Sequence, residues 1–385
     1  MDFSLSEDQR LLKESVERYI TRDYPFDRRR ANAAYDEGFS RKTWADFVDL
    51  GWLGAALPEA YGGSGGGAVE TMVLMEEFGR GLVVEPLLAT AILGGGVIRH
   101  GGNEAQKAEL LPAIIEGRLL LAFAYAERQS RHDLHDVALT ADGHGADYVL
   151  NGQKSVVLNG DSADKFIVSG RTGGDRRDRS GISLFLVDGE TPGLNRRGYP
   201  TIDGLRAAEL TFDNVRIPAA ALIGDRGDGW PLIEKVIDQA AVAVMAEALG
   251  IMAVLNDSTL DYLKTREQFG QPIGKFQALQ HRMVDMVIAA EESRSLVMVA
   301  AMESDAGDPA ARSRAVSAAK VQIAKAGRLI GQEAVQLHGA IAMTDDYHLG
   351  HYFKRLTIIG RLFGDADHHL RRFTELSGDR NQRRR

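Results

Sequence analysis

The stretch YLKTREQFGQPIGKFQALQH, residues Tyr262–His281, decides the fold of this chain. A helical pattern ends near Arg266. Gly270, Pro272 and Gly274 then break it, because glycine reaches backbone angles closed to other residues and proline stops a helix. A second helix opens near Phe276, with Leu279, Met283, Met286 and Val287 at helical spacing. The tip between the helices carries a fixed cation, Arg266, a flat ring, Phe269, and an amide, Gln277. Those groups suit a phosphate and a flat heterocycle. An ordinary helix hairpin with a solvated arginine has the same local pattern.

Outward from this hairpin the helical period continues on both sides. Trp230–Thr265 reads as one long helix and Phe276–Glu303 as the next. Asp308 caps a third, with Pro309 at its first position, reaching about His338. Tyr347–Glu375 reads as the last. Four long helices with short links make an antiparallel bundle over residues 229–385. Before them, residues 119–228 hold short β-rich runs: Leu119–Tyr125, Val137–Ala141, Tyr148–Leu150, Ser155–Leu158, Lys165–Gly170, Ile182–Val187 and Glu209–Phe212. Asn151-Gly152 is the sharpest hairpin signal among them. Strands of this number and spacing predict a small barrel or sandwich. Residues 1–118 read as helices, with capping boxes at Ser6/Gln9 and Asn103/Gln106 and a further cap at Ser40. YGGSGGG, Tyr61–Gly67, is a flexible loop and not a phosphate cradle, since no strand precedes it and no Lys-Ser/Thr follows. The expected fold is α+β in three parts: an N-terminal helical domain, a middle β domain and a C-terminal four-helix bundle.

Composition narrows the function. A chain of 385 residues can bury a large core. Its net charge of −8, with no basic domain, argues against nucleic acid. With no cysteine there are neither disulfides nor thiolate-bound metals. The start lacks a basic and then apolar signal segment, and the apolar run Leu82–Ile98 is interrupted by Glu85, Pro86 and Gly94–Gly96. The expectation is a cytoplasmic protein without membrane contact, and Arg383–Arg385 reads as disordered charge.

Three blocks carry a family resemblance. R-x-Q-F-G-x-P-I-x-x-F-Q from Arg266, QLHGA at Gln336–Ala340 and YVLNGQKSVVLNG at Tyr148–Gly160 resemble, in order, segments of the acyl-CoA dehydrogenase family. The resemblance runs from about Phe3 to about Glu375 and includes a branch that works as pairs of unlike subunits. It implies the three-part fold, an FAD cofactor, an acyl-CoA substrate oxidised across its α and β carbons, an electron-transfer flavoprotein as electron acceptor, and a homo- or hetero-tetramer. It also implies that Arg266, Phe269, Gln277, Gln336 and Gly339 hold the ADP half of a neighbour's FAD. Ala340 departs from the family's second glycine there.

The other half of the implied site departs further. The family's T-E-P-x-x-G-S-D segment aligns with AERQSRHD, Ala126–Asp133, which keeps only Glu127 and Asp133. The ring-binding threonine becomes Ala126 and the acyl-CoA-binding serine His132. The flavin-stacking aromatic becomes Val156 and the threonine near N5 becomes Leu158. The usual base, a glutamate, is Phe363 here, and the alternative base position is Ala240. Neither accepts a proton. Asp365 and Asp367 are the nearest carboxylates, displaced by two and four residues; their plain reading is a solvated or hydrogen-bonded turn. Asp238 matches a position that contacts the CoA arm in some relatives, or is an ordinary helix carboxylate. His338 is expected to shape the loop by the flavin pyrophosphate, or simply to pack in the core. His368-His369 suggests no metal, since adjacent side chains diverge on a helix and no third ligand is evident. Arg196, Arg197 and Arg206 read as surface charge or as partners for a distal carboxylate. Three readings therefore stand: a dehydrogenase subunit whose unlike partner supplies the base, a self-sufficient homotetramer using Asp365 or Asp367, and a non-catalytic homologue that holds no flavin. A flavin oxidase of the same fold is a lesser rival.

Overall fold

The structure is a computed structural model and describes residues 4–144 and 147–382; the tail Arg383–Arg385 lies outside them. Six helices lead: α1 (Glu7–Asp23), α2 (Phe26–Ala33), α3 (Arg41–Asp49), α4 (Ala68–Gly81), α5 (Gly95–Gly101) and α6 (Glu104–Ile115). The caps form as the sequence expects. Ser6 and Gln9 close a reciprocal capping box on α1, Ser40 caps α3, and Asn103 with Gln106 closes the box on α6. The run before α5 winds as a π-helix over Leu88–Gly94.

Strands β1 (Leu121–Ala124), β2 (Thr140–His144), β3 (Asp147–Leu158), β4 (Lys165–Arg171), β5 (Ile182–Asp188), β6 (Leu194–Pro200), β7 (Arg206–Pro218) and β8 (Leu222–Ile223) form one sheet in the order β6-β7-β3-β2-β4-β5-β8, with β1 paired to β4. Their inward side chains, Leu139, Leu150, Phe166, Phe185, Leu210 and Phe212 among them, share one core, so the sheet curls around it. One expectation needs correction. Asn151-Gly152 makes no hairpin; β3 runs straight through it, and its pairing with β7 shifts register between Leu150 and Gly152. Gly152 takes φ +143 with Leu139 packed where a Cβ would sit, and Asn151 Oδ1 accepts the Asn214 N–H across the irregularity at 2.8 Å. The bulge lies on β7, where Asp213 and Asn214 face Asn151, and the glycine of β3 admits the close approach of Leu139. Strand β6 was not foreseen, because LNRRGYP carries charge where a strand reading wants β-branched residues.

The chain then forms α7 (Trp230–Thr265), the two-residue strands β9 (Glu267–Gln268) and β10 (Gln271–Pro272), α8 (Gln277–Asp305), α9 (Pro309–His338), α10 (Leu349–Ile359) and α11 (Ala366–Gln382). The expected last helix is therefore two helices. Phe363 at φ +56 and Gly364 at φ +112 leave the helical region and break it. Helix α7 is long and apolar enough to cross a membrane, yet most of its apolar window is buried in the protein, as in a core helix.

The fold comprises two compact units. One takes the stretch up to Ala31, Ala68–Val83 and the chain from Ala241 onward; the other takes Asn32–Gly67 and Val84–Ala240. The second unit contains the β core. In the first, α4 and α7 cross at van der Waals distance through two glycines. A Cβ on Gly79 would lie 2.0 Å from the Glu247 carbonyl oxygen, and one on Gly250 would lie 1.9 Å from that of Glu76. Bidentate ion pairs flank the crossing: Arg294 with Glu76 at 2.9 and 3.0 Å, and Arg355 with Glu247 at 2.6 and 2.7 Å. The Arg355–Glu247 pair is buried.

Candidate functional site

All five residues expected to hold a dinucleotide are exposed: Arg266, Phe269, Gln277, Gln336 and Gly339. The local chain explains the placement of the first three. Helix α7 ends at Thr265, and the β9–β10 hairpin folds back so that Ile273 N–H donates to the Arg266 carbonyl at 2.8 Å. The hairpin tip holds Phe269 at φ +54 and 91% exposed, and its ring meets Phe276 edge-on at 6.1 Å. Helix α8 starts at Gln277, so its free N–H groups open toward the same turn. The Gln336–Gly339 segment lies at the end of α9. It is joined to α7 by a ring stack, His338 on Tyr262, with centroids 4.5 Å apart. Gly339 takes φ +71 and has open space where a Cβ would stand, so its backbone is approachable. The donor set of guanidinium, two amides and free backbone suits a diphosphate. His338, expected either to shape this loop or to pack, is buried and carries the contact between the two motifs.

Beside the hairpin an apolar cleft of about 650 Å³ opens, lined by Leu260, Leu263, Met283, Val284, Val287 and Ile288. Val284, Val287 and Ile288 are 55%, 45% and 50% exposed, so α8 is apolar on its outer face as well as its inner one.

Phe363 is buried in the turn between α10 and α11. Its carbonyl accepts from His369 Nε2 at 2.9 Å, and His369 Nδ1 meets Ser317 Oγ at 3.3 Å. Lys320 Nζ, almost fully buried, donates to the Ile359 carbonyl at 2.6 Å. Burial pushes the Lys320 ammonium down to about 7, against the pull of Asp365. Burial and then the Lys320 charge push the His369 imidazole down to about 3. Asp365 Oδ1 accepts the His368 N–H at 2.9 Å and so caps α11; Asp367 is an exposed acidic residue in the first turn of that helix. Both carboxylates stand where a helix N-terminus favours negative charge. Sequence reasoning missed Lys320. Its signal is a lysine in step with the inward residues Val316, Ala319, Ile323 and Ala326 of α9.

In the β unit, Glu127 is buried and accepts Lys154 Nζ at 2.6 Å, Ala138 N–H at 2.8 Å and Leu139 N–H at 3.1 Å. Lys154 also donates to Ser169 Oγ at 2.9 Å. Burial opposes ionisation of Glu127, but Lys154 and the donors hold its carboxyl below the usual range. The AERQSRHD segment is thereby tied to the sheet by the glutamate it keeps. Asp133 pairs with His135 Nδ1 at 2.7 Å. Ala126 and Leu158 present no hydroxyl. Val156 sits at φ +53 and is half exposed, an unusual conformation for a β-branched residue. Ala240 is fully buried and Asp238 nearly so. Arg196 is engaged by the Ala163 carbonyl and Glu190, and Arg206 pairs with Asp161, leaving them as structural surface charges. Among the described residues no group of three or more His, Asp or Glu could hold a metal, and His368 and His369 stand with their rings perpendicular.

The sequence matches the acyl-CoA dehydrogenase N-terminal domain over residues 6–118, the middle domain over 122–215 and the C-terminal domain over 227–377. It is 31% identical to the short-chain-specific acyl-CoA dehydrogenase of Clostridium acetobutylicum, covering 90% of this chain and 92% of that one. It is 30% identical to the mitochondrial isovaleryl-CoA dehydrogenase of Pongo abelii, covering 95% and 90%. The fold is similar to a chain of the ChsE4–ChsE5 complex from Mycobacterium tuberculosis, with a TM-score of 0.88, 26% identity and coverage of 97% and 98%.

Proposed function

The chain belongs to the acyl-CoA dehydrogenase family of FAD-dependent oxidoreductases, and on that premise we propose that it is one subunit of a two-subunit enzyme whose unlike partner supplies the base. The reaction is α,β-dehydrogenation of an acyl-CoA thioester, and FAD, when bound, accepts the β hydride. The observation that carries the reading is an asymmetry between two half-sites. The residues suited to the ADP half of a dinucleotide are intact and exposed: Arg266, Phe269, Gln277, Gln336 and Gly339. The positions for the ring and the base are apolar: Ala126, Val156, Leu158, Phe363 and Ala240. The first set fits a diphosphate and an adenine. The second set does not fit an isoalloxazine, and no proton transfer is assigned to it.

In this reading Arg266 neutralises the diphosphate, Gln277 and Gln336 orient it, and the Gly339 backbone lets it approach. The partner then holds the ring and takes the α proton. The apolar outer face of α8 and the exposed Phe269 support assembly into a heterotetramer, and the similar ChsE4–ChsE5 structure is itself a complex. The resemblance to the small subunit of pimeloyl-CoA dehydrogenase points to fatty-acid or dicarboxylate breakdown in the cytoplasm, with electrons leaving to an electron-transfer flavoprotein. Domain limits at residues 118 and 228 belong to the same reading.

A self-sufficient homotetramer needs Asp365 or Asp367 as base. Asp365 is spent on the α11 cap and Asp367 faces solvent from the first turn of that helix, which supports the two-subunit reading over it. A dye-coupled dehydrogenase assay over a panel of acyl-CoA thioesters tests this. The chain alone is expected to be inactive, and the co-expressed pair active and indifferent to Asp365→Asn. Turnover by the chain alone, abolished by Asp365→Asn, would restore the homotetramer.

A further inference from the structure

Rings from five segments meet behind the Gln336–Gly339 segment. Tyr262 of α7 stacks on His338 of α9; His338 packs on Tyr347 at 5.6 Å, and Tyr347 on His348 at 4.6 Å. His348 meets Tyr352 of α10, and Phe26 of α2 meets both His348 and His351, at 6.1 and 5.0 Å. His338 Nδ1 donates to the Ala334 carbonyl at 2.8 Å; its buried Nε2 makes no hydrogen bond, although the Ser258 main chain lies close enough to favour the charged ring. The ring is therefore held by stacking more than by polar contacts. It also joins the two motifs suited to a dinucleotide.

We propose that His338 is a positioning residue: while neutral it clamps the Gln336–Gly339 segment to the end of α7 through Tyr262, and taking up a proton releases that segment. Charged and titratable groups surround the cluster from each packed element. Arg29 comes from α2, Ser258 and Tyr262 from α7, Asp345 and Tyr347 from the connecting turn, and His348, His351 and Lys354 from α10. Arg80 of α4 lies beyond Tyr352, whose hydroxyl bonds its carbonyl. Burial holds the His338 imidazole below its ordinary value, against the main chains of Ala334 and Ser258. Burial and then repulsion from His338 and His351 do the same to His348. A histidine that resists protonation in the closed form gains its proton more readily in the open one. Acid below about pH 6.5, the ordinary histidine value, therefore favours opening.

The inference rests on the proposed dinucleotide reading for its consequence, but not for its first measurement. Hydrogen exchange of residues 336–348, corrected for intrinsic rate, is compared at pH 8.0 and pH 5.5 in the purified protein without nucleotide. Wild type is expected to lose about tenfold protection at the lower pH, the scale of an ordinary coupling between sites. His338→Phe keeps the stack without the titrating group and is expected to remove most of that acid dependence. ADP binding by calorimetry is expected to weaken with acid in wild type more than in His338→Phe. Equal acid dependence in both proteins, or none in wild type, overturns the clamp. Acid opening without ADP binding at any pH keeps the clamp and overturns the dinucleotide reading. If His338→Phe does not fold, the wild-type His338 ring proton resonance decides: titration below an ordinary imidazole in step with opening supports the clamp, and ordinary titration overturns it.

Discussion

Glu127 has a structural task apart from any chemistry. It is buried with Lys154 and satisfies two backbone N–H groups of the Ala138–Leu139 stretch. Removing one partner of a buried pair leaves the other charge uncompensated. Glu127→Gln is expected to cost about 3–5 kcal/mol in urea unfolding, whether or not flavin is present. Lys320 gives the opposite case, a buried cation with little to hold its charge. In the fold its proton leaves near pH 7; in the unfolded chain a lysine keeps it to about pH 10.4. Between those values the unfolded state binds the extra proton, so this group makes stability rise with pH. Thermal unfolding from pH 6.5 to 9.5 checks this. The melting temperature of wild type is expected to rise, and Lys320→Met to flatten the rise and be the more stable protein at pH 6.5. That Phe363 stands at the family's base position is an expectation from resemblance. The structure of the turn was not legible in the sequence, because the Lys320 and His369 contacts join residues 39 and 6 positions apart that no local pattern links.

At the scale of elements, caps were the most legible feature. Ser6, Ser40, Asn103 and Asp308 each cap the helix that their spacing announces. Local hydrogen bonding fixes such ends, so local sequence records them. Asn151-Gly152 misled for the same reason: its turn chemistry is real, but pairing with β7 along both flanks overrides it, and Asn151 faces the two residues Asp213 and Asn214 of a bulge in β7. The break in the last helix was hidden because Arg361–Asp365 has no proline and a helical apolar period continues past it. Close helix crossing is also visible only in three dimensions. Gly250 faces the Glu76 carbonyl across α4 and α7, so a methyl there forces the helices apart. Gly250→Ala is expected to destabilise by about 3 kcal/mol, measured by denaturant unfolding; an unchanged midpoint would mean that the crossing is looser than its geometry.

For the whole molecule, the order helix, sheet, helix follows from periodicity read along the chain, and the sequence comparisons match it domain by domain. The compact units do not follow that order, since α1 and α4 group with the helices after Ala241. Sequence proximity does not encode such long-range packing. The proposed half-site rests on resemblance, because exposed Arg266, Gln277 and Gln336 look like ordinary surface residues until a partner's ligand is considered. The outer face of α8 belongs to the same scale. A soluble surface seldom leaves Val284, Val287 and Ile288 together in the open. Val287→Glu is expected to leave the chain folded by circular dichroism and to lower the native mass of the assembly. An unchanged mass would place the subunit contact elsewhere.

The central claim is that this chain contributes half of a flavin site and its partner the rest. The most direct test is visible flavin absorbance against chain concentration, with native mass, for the chain alone and for the chain co-purified with its partner. The account predicts a colourless or flavin-poor chain alone, and a yellow complex with half as many flavins as chains. A yellow homotetramer with one flavin per chain, bleached by an acyl-CoA, would contradict it.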